Sequence, residues 1–167
     1  SIKKFSLGYS EKQDMVTIPV STPDGSMYVG FVGRSVEGKE FKNTPGLPKS
    51  KVLFNLHRAR LHSTVYVVES SFDAIRLDQC GIPAVATLGV YISKVQVELL
   101  TKHFNNAIII PDNDEAGSTM VTKIVLKMGA RATTINLPTR FKDIGDMTDE
   151  DIHKLTSITQ NPLLAMY

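Results

Sequence analysis

The stretch Val65-Tyr66-Val67-Val68-Glu69-Ser70-Ser71-Phe72-Asp73-Ala74-Ile75-Arg76-Leu77-Asp78-Gln79-Cys80-Gly81 decides the fold. Its first four residues are an uninterrupted apolar run, the pattern of a parallel strand buried on both faces. Ser70 or Ser71 can then cap a helix. From there Ala74, Leu77 and Cys80 recur at every third position, with Phe72 and Ile75 beside them, and Gly81 stands where a helix ends. Outward from this unit the rhythm repeats. Ile82 to Ala86 reads as a strand and Val95 to His103 as a helix, with Val95, Leu99 and Leu100 on one face. Ala107 to Ile110 reads as a third strand. Glu115 to Met128 is a helix whose Val121, Ile124, Val125 and Met128 share one face, with Gly129 just beyond. Arg131 to Leu137 is a fourth strand and Asp149 to Leu155 a last helix. Strands alternating with helices of this length predict an α/β fold, a largely parallel sheet flanked by helices with right-handed crossovers.

The first 63 residues have a different texture. Met15 to Val20 and Met27 to Gly33 form a predicted hairpin about the turn Thr22-Pro23-Asp24-Gly25-Ser26. Residues 35–50, rich in Gly, Pro, Lys and Ser, read as a long loop, and Val52 to Leu61 has no decided state. Residues 1–63 hold ten Lys/Arg against five Asp/Glu, and residues 64–167 nine against twelve. The expected division is therefore a small basic β-rich subdomain, 1–63, ahead of an acidic α/β domain, 64–167. That imbalance suits a protein that holds phosphates on one side and a divalent metal on the other.

The acids are not scattered. Glu69 closes the first strand and Asp73 follows four residues later. Asp112 and Asp114 follow the third strand, and Asp143 and Asp146 follow the fourth. In an open parallel sheet, ligands bind beyond the carboxyl ends of the strands, so six carboxylates are expected in or near one crevice. Bare carboxylates at short range repel, and a cation removes the conflict. Oxygen donors without Cys or His favour Mg²⁺ or Mn²⁺ over zinc. The one cysteine, Cys80, allows no internal disulfide, and none of the four histidines has a partner at metal-ligand spacing. No apolar run is long enough to span a membrane, and no secretory signal is visible at the start, so a cytoplasmic protein is expected.

These residues resemble a known pattern. Glu69-Ser70-Ser71-Phe72-Asp73, Asp112-Asn113-Asp114 with Ala116-Gly117, then Asp143 and Asp146, resemble the Toprim domain of DnaG-type primases, topoisomerases, OLD-type nucleases and small ribonucleases. The prelude narrows the choice. Phe5-Ser6-Leu7-Gly8-Tyr9, Gly30-Phe31-Val32-Gly33-Arg34, Phe41-Lys42-Asn43-Thr44-Pro45 and Lys49-Ser50-Lys51-Val52-Leu53-Phe54 resemble the section before Toprim in DnaG-type primases, and Ala84 to Gly89 resembles the primase form of the domain. Two features depart from the pattern: the usual glycine after the glutamate is Ser70 here, and the last acidic pair is spaced Asp-x-x-Asp, not Asp-x-Asp. The short stretch between Tyr9 and Met15 and the Lys142-Asp143 pattern look more like phage or plasmid primases and primase–helicases.

The resemblance implies Glu69, Asp112 and Asp114 as catalytic residues, and these with Asp73, Asp143 and Asp146 as metal ligands. It also implies Arg34, Lys42, Lys49 and Lys51 as contacts to nucleoside triphosphate or template. The implied activity is synthesis of RNA primers on single-stranded DNA from ribonucleoside triphosphates. The implied partners are a replicative helicase and a zinc-binding primase module outside this chain, which reads as a catalytic-core fragment or a stripped-down protein. A Toprim nuclease and a non-catalytic nucleic-acid-binding or helicase-associated module are the alternatives.

Overall fold

The computed structural model describes residues 1–38, 40–89, 91–112 and 115–160. After a single helical turn, α1 (Ile2–Phe5), come four antiparallel strands in sequential order: β1 (Gly8–Ser10), β2 (Met15–Ser21), β3 (Tyr28–Ser35) and β4 (Phe41–Asn43). The predicted hairpin is the β2–β3 pair. Its turn is held by the Asp24 carboxylate, which accepts bonds from the Thr22 hydroxyl and from the amide and hydroxyl of Ser26, while Gly25 takes the left-handed angle (φ 79°) that the turn needs. These bonds hold the Asp24 pKa down to about 2.

Residues 35–50 are not loop throughout. Phe41–Asn43 pairs with β3, Gly33 opposite Lys42 and Arg34 opposite Phe41, and Lys49–Lys51 forms a 3-10 turn. The glycines and prolines on either side hide so short an edge strand, whose existence depends on the neighbour that supplies its hydrogen bonds. Phe54 makes an isolated bridge to Ala86, and Leu56–Ala59 forms a short helix, α2.

The second sheet is parallel, in the order β6-β5-β7-β8, from β5 (Thr64–Val68), β6 (Ala84–Ala86), β7 (Asn106–Ile109) and β8 (Ala132–Thr134). The crossovers are α3 (Ser71–Gln79), α4 (Lys94–His103) and α5 (Glu115–Met128), and α6 (Asp149–Gln160) closes the described chain. The fourth strand is shorter than expected and the last helix longer. Side chains alternate strictly between two cores, as a pleat requires. Val65, Val67, Val85, Ala107 and Ile109 face α4 and α5. Tyr66, Val68, Ala84, Ala86, Ile108 and Ile110 face α3 and α6. Ile18, Val20 and Val32, from the inner face of the antiparallel sheet, join this second core together with Phe5, Val52 and Phe54. The two sheets thus share buried apolar surface, and that packing fixes the basic strands beside the carboxyl ends of β5 and β7.

The chain leaves β5 for one edge of the sheet and returns through β7 toward the other, so the topological switch point lies at the carboxyl ends of β5 and β7. Among the described residues, no helix is long and apolar enough to cross a membrane.

Candidate metal and nucleotide site

Glu69 follows β5 directly and is buried, and its carbonyl accepts the Leu88 amide at 3.0 Å. Ser70 caps α3. Its hydroxyl oxygen accepts the Asp73 amide at 3.2 Å and donates to the Asp73 carboxylate at 2.7 Å. The other Asp73 oxygen accepts the Gly145 amide at 3.1 Å. Asp73 is only 4% exposed, and burial pushes its pKa up to about 6. The charges of Asp143 and Asp112 push in the same direction, while the bonds from Ser70 and Gly145 oppose them. The segments after three different strands, the first turn of α3 and two loops, therefore bring Asp112 and Asp143 within electrostatic reach of Asp73.

Asp143 caps the 3-10 turn Ile144–Asp146 by accepting the Asp146 amide at 3.2 Å. Gly145 lies between two carboxylates: a Cβ there would stand 3.0 Å from Asp143 Oδ1 and 3.7 Å from Asp73 Oδ1. Asp146 is exposed, and its carboxylate folds back to accept the Lys142 amide at 3.4 Å. Asp114 lies outside the described residues. Among the described residues, no three acids, histidines or cysteines close around a single point.

Glu69 and Asp112 line a cleft of about 300 Å³ together with Lys49, with Phe41 and Asn43 from β4, and with Leu88-Gly89. Lys49 Nζ would lie 3.9 Å from a Cβ at Gly89. Arg34 sits between two rings, its guanidinium 5.0 Å from the Phe41 centroid and 5.1 Å from that of Phe72 at the start of α3. This holds a cation next to the first turn of the helix that carries Asp73. Lys42 is not brought into the cleft. Its neighbours Phe41 and Asn43 line it, so Lys42 projects from the opposite face of the sheet, where it pairs with Glu40 at 3.2 Å. Lys51 is exposed on the 3-10 turn and does not line the cleft. Sequence reasoning missed Phe41, Asn43 and the Gly145 amide. Strand alternation about Lys42 could have marked the first two, had β4 been recognised.

A family model described as Toprim-like matches residues 66–148. The DNA primase of Synechococcus elongatus is 38% identical over 122 residues, covering 66% of this chain and 17% of its own length. This chain is a Toprim-domain homologue of the DnaG-type DNA primases. Its fold agrees with that of the Aquifex aeolicus primase zinc-binding and RNA polymerase domains (TM-score 0.76, 23% identity, 93% of this chain and 51% of that one). It agrees also with the primase fragment of the bacteriophage T7 primase–helicase protein (TM-score 0.73, 22% identity, 93% of this chain and 69% of that one). The curated primases it matches are much longer, and the chain spans 17% to 27% of their lengths. The Toprim match runs from β5 to just past the Asp143–Asp146 loop, so it contains all six acids singled out above.

Proposed function

We propose that the chain is the catalytic core of a DNA primase, joining ribonucleotides on a single-stranded DNA template. The observation that carries this reading is the cleft lined together by Glu69, Asp112, Lys49 and residues of the antiparallel sheet, in a chain homologous to DNA primases. The acids supply only oxygen donors, and crowding already presses on Asp73. Such a set suits Mg²⁺ or Mn²⁺, since Mg²⁺ takes one or two carboxylates and fills its shell with water and substrate phosphates. Glu69, Asp73, Asp112, Asp114 and Asp143 share the holding of one or more such ions in this reading, with Asp146 beside them. The bound ion supplies charge neutralisation for phosphoryl transfer.

The chain's own residues do the rest. Lys49 meets the triphosphate as a point charge, and Arg34, its guanidinium beside the rings of Phe41 and Phe72, offers a fork that matches phosphate oxygens. Glu69, buried at the strand end, is assigned to take the proton of an attacking 3′-hydroxyl as its oxygen joins the α-phosphate and pyrophosphate leaves. Lys42 and Lys51, both exposed outside the cleft, are assigned to the template backbone, where each contact adds affinity without reading sequence. A replicative helicase and a zinc-binding module are the expected partners, and the cytoplasm of a bacterial cell the expected compartment.

The test is incubation with single-stranded DNA, labelled ribonucleotides and Mg²⁺ or Mn²⁺. RNA of two or more nucleotides is the predicted product. Shortened DNA without synthesis would replace this reading with a nuclease, and DNA binding without either product with a non-catalytic module.

A further inference from the structure

Gln96 is a polar side chain in the wrong place for an ordinary amphipathic helix. It lies in the first turn of α4 and is 1% exposed. Its Oε1 accepts the Ser93 amide at 2.9 Å. Its Nε2 donates toward three carbonyls from two other segments: Thr87 at 2.8 Å, Val52 at 2.9 Å and Lys49 at 3.0 Å. Two amide protons are shared among three acceptors, so no donor capacity is left over. Ser93 adds a fourth tie, its hydroxyl donating to the Ser50 carbonyl at 2.6 Å. Thr87 begins the turn after β6, in which Leu88 holds a left-handed backbone (φ 62°) while donating its amide to the Glu69 carbonyl. One buried amide thus joins the segment that carries Lys49 to the segment that braces Glu69, the two sides of the cleft.

We propose that Gln96 is a positioning residue that sets the distance between the cation Lys49 and the acidic edge at Glu69. The proposal rests on the nucleotide role given to Lys49 above. A leucine or methionine would fill the same volume, but it would leave two buried carbonyls and the part-buried Lys49 carbonyl without this donor, and the Lys49–Val52 turn would be free to shift from the Thr87–Gly89 turn. A shifted Lys49 loses its phosphate contact in ground and transition states alike, which raises KM and spares kcat.

The experiment compares the wild-type chain with Gln96→Met, Lys49→Ala and the double variant, after circular dichroism has shown each to be folded. Primer synthesis is read as KM for the ribonucleotide and kcat. Gln96→Met is expected to raise KM about tenfold with a smaller change in kcat. The double variant is expected to be no worse than Lys49→Ala, because both changes remove one interaction. Additive effects, or an unchanged KM, overturn the proposal. A second readout needs no turnover: acetylation of Lys49 by acetic anhydride, followed by mass spectrometry, with and without ATP and Mg²⁺. ATP should protect Lys49 in the wild type and lose that protection in Gln96→Met. Equal protection in both overturns the proposal even if the chain makes no primer, whereas no protection in the wild type overturns the nucleotide role of Lys49 itself. Should Gln96→Met not fold, Ser93→Ala, which removes the hydroxyl tie to Ser50 together with the cap on the Gln96 amide, must weaken protection in the same direction.

Discussion

Replacing Asp73 with asparagine should stabilise the metal-free protein at neutral pH. The carboxyl is 4% exposed and its pKa is raised from 3.8 to about 6, first by burial and then by Asp143 and Asp112. The folded-state pKa lies above the unfolded one, so folding takes up a proton in this range, and stability falls as pH rises from about 4 to about 6. At roughly 1.4 kcal/mol per pH unit, the ionised carboxylate costs about 3 kcal/mol above pH 6. Asparagine removes that charge but keeps only one acceptor oxygen for Ser70 and Gly145, a loss of about 1 kcal/mol. The net gain is then about 2 kcal/mol near pH 7, shrinking as the pH approaches 4, where the wild-type carboxyl is protonated in both states. Urea denaturation in EDTA across this range measures it. Mg²⁺ added near neutral pH should close the gap by stabilising the wild type more than the variant. A variant less stable than the wild type near neutral pH without metal, or a gain that does not shrink on acidification, would refute the electrostatic account of this edge.

Gly117→Ala should cost about 1–3 kcal/mol in the same denaturation experiment, because a Cβ would stand 2.5 Å from the Asp112 carbonyl oxygen and 2.8 Å from Pro111 Cβ, forcing α5 away from the acidic loop. Unchanged stability would show that the loop yields freely. Arg34→Lys should weaken Mg²⁺·ATP binding several-fold in isothermal titration, since an ammonium cannot present a planar fork while lying between Phe41 and Phe72; equal affinity would remove Arg34 from the triphosphate site. Gly145→Ala, which sets a Cβ 3.0 Å from Asp143 Oδ1, should lower the affinity of the chain for Mn²⁺ read by paramagnetic resonance, and full affinity would detach this turn from the metal.

The α/β half of the fold was legible because strands buried on both faces must be apolar throughout, as in Val65–Val68, and because α3 and α5 keep their apolar positions in helical phase. The acidic edge was legible because Glu69, Asp112 and Asp143 each follow a strand of one parallel sheet. The antiparallel half was read less far. β4 is three residues long between Gly- and Pro-bearing segments, and pairing with β3, not its own propensity, makes it a strand. Its alternation decides that Phe41 and Asn43 enter the cleft while Lys42 turns away, a distinction that a count of basic residues does not carry. Gln96 gave no signal of its role, since at helix position three a glutamine reads as half of a capping box with Ser93. Only the packing of two distant segments around it shows what its amide protons hold.

In the proposed reaction the acidic edge drives nucleotidyl transfer. The most direct measurement is dinucleotide and pyrophosphate formation by the wild type and Asp112→Asn on single-stranded DNA with ribonucleotides and Mg²⁺, alongside circular dichroism of both proteins. The prediction is dinucleotide and pyrophosphate in equal amounts from the wild type, and loss of both from a fully folded Asp112→Asn. Undiminished synthesis by that variant would contradict the assignment of the edge.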